Sequence, residues 1–234
     1  MKRSSKMMPK ILVGCPTSDL KGYALERYAE GVKALDYPNF DILIVDNSKS
    51  NDYFKKIKKS GLPVVKGPYN ESARQRIIDS RNIIRGKVLD GCYEYFFSLE
   101  QDVVPPKDVI QRLLSHDKKV ISGVYFTYQT DKGVKVGLTP VLRKKVGKDG
   151  LVIMSKEEVI QPRLIEVGAC GLGCILIHRD VLEKIKFRFS EDYEGFDDIW
   201  FCYDAFKAGF KIFADTSLKC KHLIEGWSWE GIKE

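Results

Sequence analysis

Tyr93–Pro106 reads YEYFFSLEQDVVPP, and this stretch decides the fold. Tyr95, Phe96, Phe97 and Leu99 form a short, nearly continuous apolar run, the pattern of a strand buried on both faces of a parallel sheet. Glu100 and Asp102 follow at its end, one residue apart. Side chains in extended backbone alternate with period two, so persisting strand geometry would point both carboxylates the same way. In open α/β sheets, ligands sit beyond the carboxyl ends of the strands. Two hard oxygen donors there suit Mg²⁺ or Mn²⁺ holding a diphosphate. The alternative is a polar strand end that caps a helix starting near Lys107.

Towards the N-terminus, Lys10–Pro16 (KILVGCP), Phe40–Val45 (FDILIV) and Leu62–Lys66 read as three more strands. Leu25, Tyr28, Ala29, Val32 and Leu35 recur at helical spacing between the first two, and Asp52–Ser60 is a short lysine-rich helix. This β-α-β-α-β alternation implies right-handed crossovers and a parallel sheet. It delivers Pro16-Thr17 and Asp46-Asn47 to the carboxyl edge. Ser72-Ala73-Arg74-Gln75 is a capping-box pattern opening a helix with Ile77, Ile84 and Val88 on one stripe. Arg81 lies on that apolar stripe, where a guanidinium either snorkels to solvent or reaches an anionic partner.

Beyond the central strand, Asp108–His116 reads as a helix and Lys119–Thr127 as a strand. Residues 131–160, punctuated by Gly133, Gly137, Gly147 and Gly150, look like an antiparallel excursion. Val167–His178 is two short strands around Gly171-Leu172-Gly173, whose glycines serve either a turn of positive φ or close backbone approach to a substrate. They make no dinucleotide fingerprint, and no Walker A motif occurs. Glu191–Asp198 is an acidic, aromatic loop feeding a helix with Ile199, Tyr203 and Phe206 inward and Gly209 at its end. Asp197 or Asp198 could cap that helix, or act as a general base across a cleft from a metal. Phe210–Ala214 is a final strand before Cys220-Lys221-His222, and His222 is a candidate third metal ligand. Trp227-Ser228-Trp229 offers aromatic planes for sugar stacking or a lipid interface.

A chain of 234 residues with 44% hydrophobic and 30% charged content has the composition of one globular domain. Its formal net charge of +7 is spread over a basic N-terminus and clusters at 55–59 and 143–145, read as solvated faces with weak attraction to anionic lipid or a phosphorylated substrate. No basic stripe interleaves with aromatics, which argues against nucleic acid. No apolar run approaches bilayer length, and the expectation is a cytoplasmic protein with peripheral contact at the inner membrane face as an option. The 6 cysteines are scattered through hydrophobic segments, as reduced buried thiols are. A zinc site from Cys170, Cys174, Cys220 and His222 matches no familiar spacing.

The order of these features resembles the GT-A glycosyltransferases, particularly the family-two group that uses nucleotide-diphosphate sugars. Pro16-Thr17 and Asp46-Asn47 resemble that family's nucleobase and ribose contacts, and Arg81-Asn82 its Ala-Arg-Asn helix motif near the nucleotide. Glu100-Gln101-Asp102 stands where the family has its Asp-x-Asp metal motif; the leading Glu is a departure that leaves Asp102 the safer ligand. Gly171-Leu172-Gly173 resembles the acceptor-side glycine segment, and Asp197-Asp198 the acidic pair whose second member is the base.

The resemblance implies an α/β GT-A fold, with a Rossmann-like, mostly parallel sheet flanked by helices. The tail would span 1–9 and the catalytic domain 10–226. Its nucleotide-sugar half would be 10–106 and its acceptor half 107–226, with 227–234 as a second tail. It implies a sugar transferred from a nucleotide diphosphate, UDP rather than GDP, to a carbohydrate or lipid-linked acceptor. Asp198, with Asp197 beside it, would be catalytic and the outcome inverting, although related families use the scaffold with retention. Asp102, Glu100 and His222 would hold Mn²⁺ or Mg²⁺. Pro16, Thr17, Asp46, Asn47, Arg81, Glu100 and Gln101 would bind the donor, and Gly171, Leu172, Gly173 and Trp227 the acceptor. A nucleotidyltransferase and a non-catalytic binding module are the rivals; the first lacks its usual glycine-rich, lysine-bearing loop here.

Overall fold

A computed structural model describes residues 8–131, 134–147, 150–191 and 196–224. The first half runs β1 (Ile11–Thr17), a 3-10 turn over Asp19–Ala24, α1 (Leu25–Lys33), β2 (Phe40–Asp46), α2 (Asp52–Lys59), β3 (Val64–Lys66), α3 (Ala73–Asp90) and β4 (Tyr95–Leu99). Next come β5 (Val103–Val104), α4 (Val109–Ser115), β6 (Val120–Val124), β7 (Phe126–Asp131), β8 (Val134–Pro140), β9 (Leu142–Val146) and β10 (Gly150–Ile153). The last third holds α5 (Lys156–Ile160), β11 (Leu164–Val167), β12 (Ala169–Cys170), β13 (Cys174–His178), α6 (Arg179–Lys184), α7 (Asp197–Lys207), β14 (Ile212–Lys219) and β15 (Lys221–His222).

Eight strands form the central sheet in the order β11-β14-β6-β13-β4-β1-β2-β3. Alternation along each strand divides the core between its faces. Leu12, Phe96 and Ile175 pack on one side with Ile84 of α3, Leu182 of α6 and Phe201 of α7. Ile11, Phe97 and Leu176 pack on the other with Tyr28 of α1, Ile57 of α2 and Leu113 of α4. Helices thus cover both faces of an α/β sheet. Gly14 lets α3 approach: a Cβ there would lie 2.5 Å from Ile84 and 2.7 Å from Phe96. Among the described residues no helix is long and apolar enough to cross a membrane.

Several expectations change. The sheet is mixed: β4 runs parallel to β1 but antiparallel to β13. An apolar run reports burial on both faces, not strand direction. Lys119–Thr127 is broken at Tyr125 into β6 and β7, which belong to different sheets. The strand expected over Phe210–Ala214 is β14, which starts at Ile212 and runs on to Lys219; β15 follows it, and α5 and α6 add two short helices beyond the sequence expectations. α7 buries Phe201, Cys202 and Ala205, whereas Tyr203 and Phe206 are exposed. Helical spacing fitted either stripe, and packing against β12 and β14 chose the other one. Gly209 does end α7, with φ of +84°. The capping box is half made: Ser72 Oγ accepts from the Gln75 amide, but the Gln75 side chain donates to Asp79. The antiparallel excursion is present as β7–β8 and β9–β10 hairpins.

Arg81 ties these layers together. It is 1% exposed, and its guanidinium donates to Asp197, to Ser98 Oγ at 2.9 Å and to Glu100 at 2.5 Å. Ser98 Oγ in turn donates to the Leu172 carbonyl at 2.6 Å. The next residue, Asn82, exchanges two hydrogen bonds with the Phe187 backbone, at 2.9 and 3.1 Å. Burial alone would lower the pKa of the guanidinium; the charges of Asp197 and Glu100 outweigh that and push it further up. Removing one member of a buried ion pair strands the other, at roughly 3–5 kcal/mol. Arg81→Met should therefore lower stability by about 3–5 kcal/mol in urea unfolding, and a loss under about 1 kcal/mol would deny the network its structural role.

Candidate active site

The strand ends and helix starts converge on a cleft of about 500 Å³. β1 contributes Pro16 and Thr17, the turn after β2 Asn47, and the first turns of α3 Ala73, Arg76 and Ile77. Glu100, Gln101 and Asp102 enter from the end of β4, and Asp197 and Asp198 from the start of α7. This is the carboxyl edge of the parallel strands, as the topology requires.

Glu100 and Asp102 do not point alike. Strand geometry stops at Leu99 and Glu100–Asp102 makes a turn, with the Val103 amide donating to the Glu100 carbonyl at 2.9 Å. Glu100 faces Arg81, while Asp102 is ion-paired with Lys21 and lies 3.2 Å from His222 Nε2. Period-two reasoning failed because the strand ended one residue too early for it. Gln101 is consumed by the scaffold: its amide donates to Tyr53 and to the Lys21 carbonyl, both at 2.5 Å, and its oxygen accepts from Thr17 at 2.6 Å.

Burial would raise the pKa of Asp102, but the hydrogen bond from His222 and the charge of Lys21 hold it down at about 2. It is an anion at every ordinary pH. Its Oδ1 is buried and has no hydrogen-bond partner among the described residues. His222 Nδ1 lies 2.8 Å from the Phe126 carbonyl, which can only accept, so that nitrogen carries a proton. Nε2 is the nitrogen turned to Asp102, on the same carboxylate oxygen that pairs with Lys21. Backbone anchoring of the far nitrogen is the support that metal-binding histidines have.

Asp198 behaves in the opposite way. Burial and the neighbouring charge of Asp197 push its carboxyl up to about 6, only partly offset by the hydrogen bond from the Ile199 amide at 2.8 Å. Asp197 is spent on Arg81, whereas Asp198 faces the cleft and also an adjoining recess lined by Thr127, Thr139 and Gly171. Neighbouring acids in one helix turn thus have separate tasks.

Asp46 stands apart from the expectation. It is fully buried, its Oδ1 accepts from the Ser48 amide and hydroxyl, and its Oδ2 pairs with Lys66 at 2.8 Å. Both oxygens serve the loop, while Asn47 reaches the cleft wall. Gly171 and Gly173 also find a different reason. Neither has positive φ; a Cβ on Gly171 would lie 2.0 Å from the Tyr125 hydroxyl, and one on Gly173 2.8 Å from the ring. The glycines make room for Tyr125, whose hydroxyl accepts from the Gly173 amide at 3.1 Å. Leu172 lines the cleft. Trp227 lies outside the described residues.

Sequence reasoning missed Lys21, Arg76, Tyr125, Arg143 and Phe196, all on the cleft wall. Only Arg143 left a signal, as part of the basic cluster at 143–145. Among the described residues no group of three His, Cys, Asp or Glu side chains is arranged to hold a metal ion.

No family model and no curated protein matches the chain. Solved structures do. The crystal structure of A197 from STIV aligns at 19% identity and a TM-score of 0.50, covering 92% of this chain and 86% of that one. The structure of GalNAc-T7 with UDP, GalNAc and Mn²⁺ aligns at 13% identity and a TM-score of 0.64, covering 96% of this chain and 46% of that one. This chain therefore spans less than half the length of GalNAc-T7. At such identities the likeness speaks for architecture alone: an α/β fold of the GT-A type.

Proposed function

We propose that the chain is a glycosyltransferase, nearest the family-two group in motif order, that moves a sugar from a nucleotide-diphosphate donor to an acceptor hydroxyl with inversion. The observation that carries the reading is Asp198: a carboxyl held near neutrality, on the same cleft as the permanently ionised Asp102. A base needs a pKa near the working pH, and a cation or diphosphate anchor needs a fixed charge. The fold shared with a structure holding UDP, GalNAc and Mn²⁺ is consistent with a nucleotide-sugar donor.

Thr17 and Asn47 line the end of the cleft where nucleobase and ribose would lie. Asp102, whose Oδ1 has no hydrogen-bond partner among the described residues, and His222, whose Nε2 lies 3.2 Å from the other carboxylate oxygen, are the residues that would hold a divalent cation. Glu100, committed to Arg81, stays out of that set. When bound, such an ion neutralises charge on the leaving diphosphate. The Lys21 ammonium adds positive charge at the same place. Asp198 takes the proton of the acceptor hydroxyl as its oxygen bonds to the anomeric carbon and the bond to the diphosphate breaks. Arg81 pairs with Asp197 and so fixes the start of α7, which aims Asp198. A cytoplasmic setting and an acceptor on a lipid carrier agree with the basic surface.

Asp198→Asn should lower turnover by roughly 10²–10⁴-fold while donor affinity, measured by calorimetry, stays nearly intact; full activity in that variant would remove the base. The wild-type rate should climb about tenfold per pH unit up to about pH 6 and then level, because the carboxyl must lose its proton to act. A profile flat across that range contradicts the assignment. Nucleoside-diphosphate binding should weaken in chelator and regain strength with Mn²⁺, and Asp102→Ala should abolish the difference. Equal binding in both conditions by the wild type would exclude the cation site.

A further inference from the structure

Arg143 lines the cleft and also the smaller recess that adjoins it at Asp198. It projects from β9, which pairs with β10 on one side and β12 on the other. Arg143 stands opposite Ile153 and Ala169, and its carbonyl accepts from the Gly168 amide at 2.7 Å. A strand held along both edges gives this side chain a fixed origin. The two lysines that follow are engaged, Lys144 with Glu158 at 2.6 Å and Lys145 with its ammonium 3.4 Å from the centre of the Phe206 ring. The part-buried Arg143 guanidinium has no hydrogen bond, ion pair or ring contact among the described residues. Asp102 is taken by Lys21, and Glu100 and Asp197 by Arg81. Thr127 and Thr139 line the same recess and stand directly opposite each other across β7 and β8, which puts their side chains on one face. Neither hydroxyl has a hydrogen bond among the described residues. The recess encloses about 80 Å³. One water needs about 10–15 Å³ of such space, so a small oxyanion fits.

We propose that this recess binds an oxyanion of the acceptor, a carboxylate or a phosphate carried close to the hydroxyl that is glycosylated. In the transferase reading, on which this rests, Asp198 meets that hydroxyl. Asp198 lines cleft and recess alike, so an anion held at Arg143 brings the neighbouring hydroxyl to the carboxyl. A guanidinium stays charged at every ordinary pH, and its planar fork of N–H donors matches two oxygens of a carboxylate or phosphate. The threonine hydroxyls are donors for a further oxygen. With solvent partly excluded, such a contact is stronger than on an open surface. The donor's diphosphate is the rival anion, but it belongs with Asp102 and Lys21, neither of which lines the recess. The oxyanion makes and breaks no bond. It selects which acceptors reach the base, because a neutral sugar leaves the guanidinium without a partner.

Calorimetric titration of the full chain with inorganic phosphate, in the absence of donor, should show binding that Arg143→Gln weakens by roughly 10–100-fold and Arg143→Lys by less. Thr139→Val should weaken it by roughly 2–10-fold. Transfer is followed as UDP released from a panel of UDP-sugars onto matched acceptors: a methyl hexoside, the corresponding hexuronide and the corresponding hexose phosphate. The last two tell a carboxylate from a phosphate. The preferred anionic acceptor should have a KM roughly 10–100-fold below that of the neutral one, and Arg143→Gln should erase the difference while UDP affinity stays as it was. Equal KM for neutral and anionic acceptors, phosphate binding unaltered in Arg143→Gln, or a loss of UDP affinity in that variant overturns the oxyanion site. Phosphate binding that depends on Arg143, in a chain that turns over no UDP-sugar, upholds the oxyanion site and removes the transferase reading instead.

Discussion

A guanidinium in a dry interior must be surrounded by acceptors, and satisfying Arg81 dictates where much of this molecule goes. Its donors reach Asp197 at the start of α7, Glu100 after β4 and Ser98 within β4, and Ser98 passes the chain of bonds to Leu172. Four segments distant in sequence are held to one point, all of them on the cleft. The network costs little only because it is complete; a missing acceptor would leave a bare charge where water cannot reach.

That arrangement explains how two adjacent carboxyls differ. Asp197 is ion-paired with Arg81 and becomes part of the frame. Asp198, one residue on, faces the cleft with its neighbour's negative charge behind it and little solvent, so its proton is held to about pH 6. Across the cleft Asp102 has the opposite surroundings, an ammonium and an imidazole, and stays charged. One pocket thus holds an acid that can take a proton at neutral pH and another that cannot.

Lys21 and His222 show how little of the site is contiguous. Lys21 comes from a 3-10 turn beside β1, and His222 from β15, which pairs antiparallel with β5 just beyond Asp102. The pairing of β15 with β5 brings the imidazole to the carboxylate, and a backbone carbonyl from β7 sets its ring.

Apolar runs and helical spacing determined the class of fold and the carboxyl-edge position of Thr17, Asn47 and Asp102, because burial on two faces acts locally; for Arg81 they left both solvent and an anionic partner open. Tertiary structure alone decided the rest. Strand direction beside β4, the buried stripe of α7, the divergence of Glu100 from Asp102 and the use of Asp46 as a loop brace all depend on which segment packs opposite. Gly171 and Gly173 are glycine because the Tyr125 ring, some 50 residues away, needs their space, and a sequence carries no mark of a neighbour that distant.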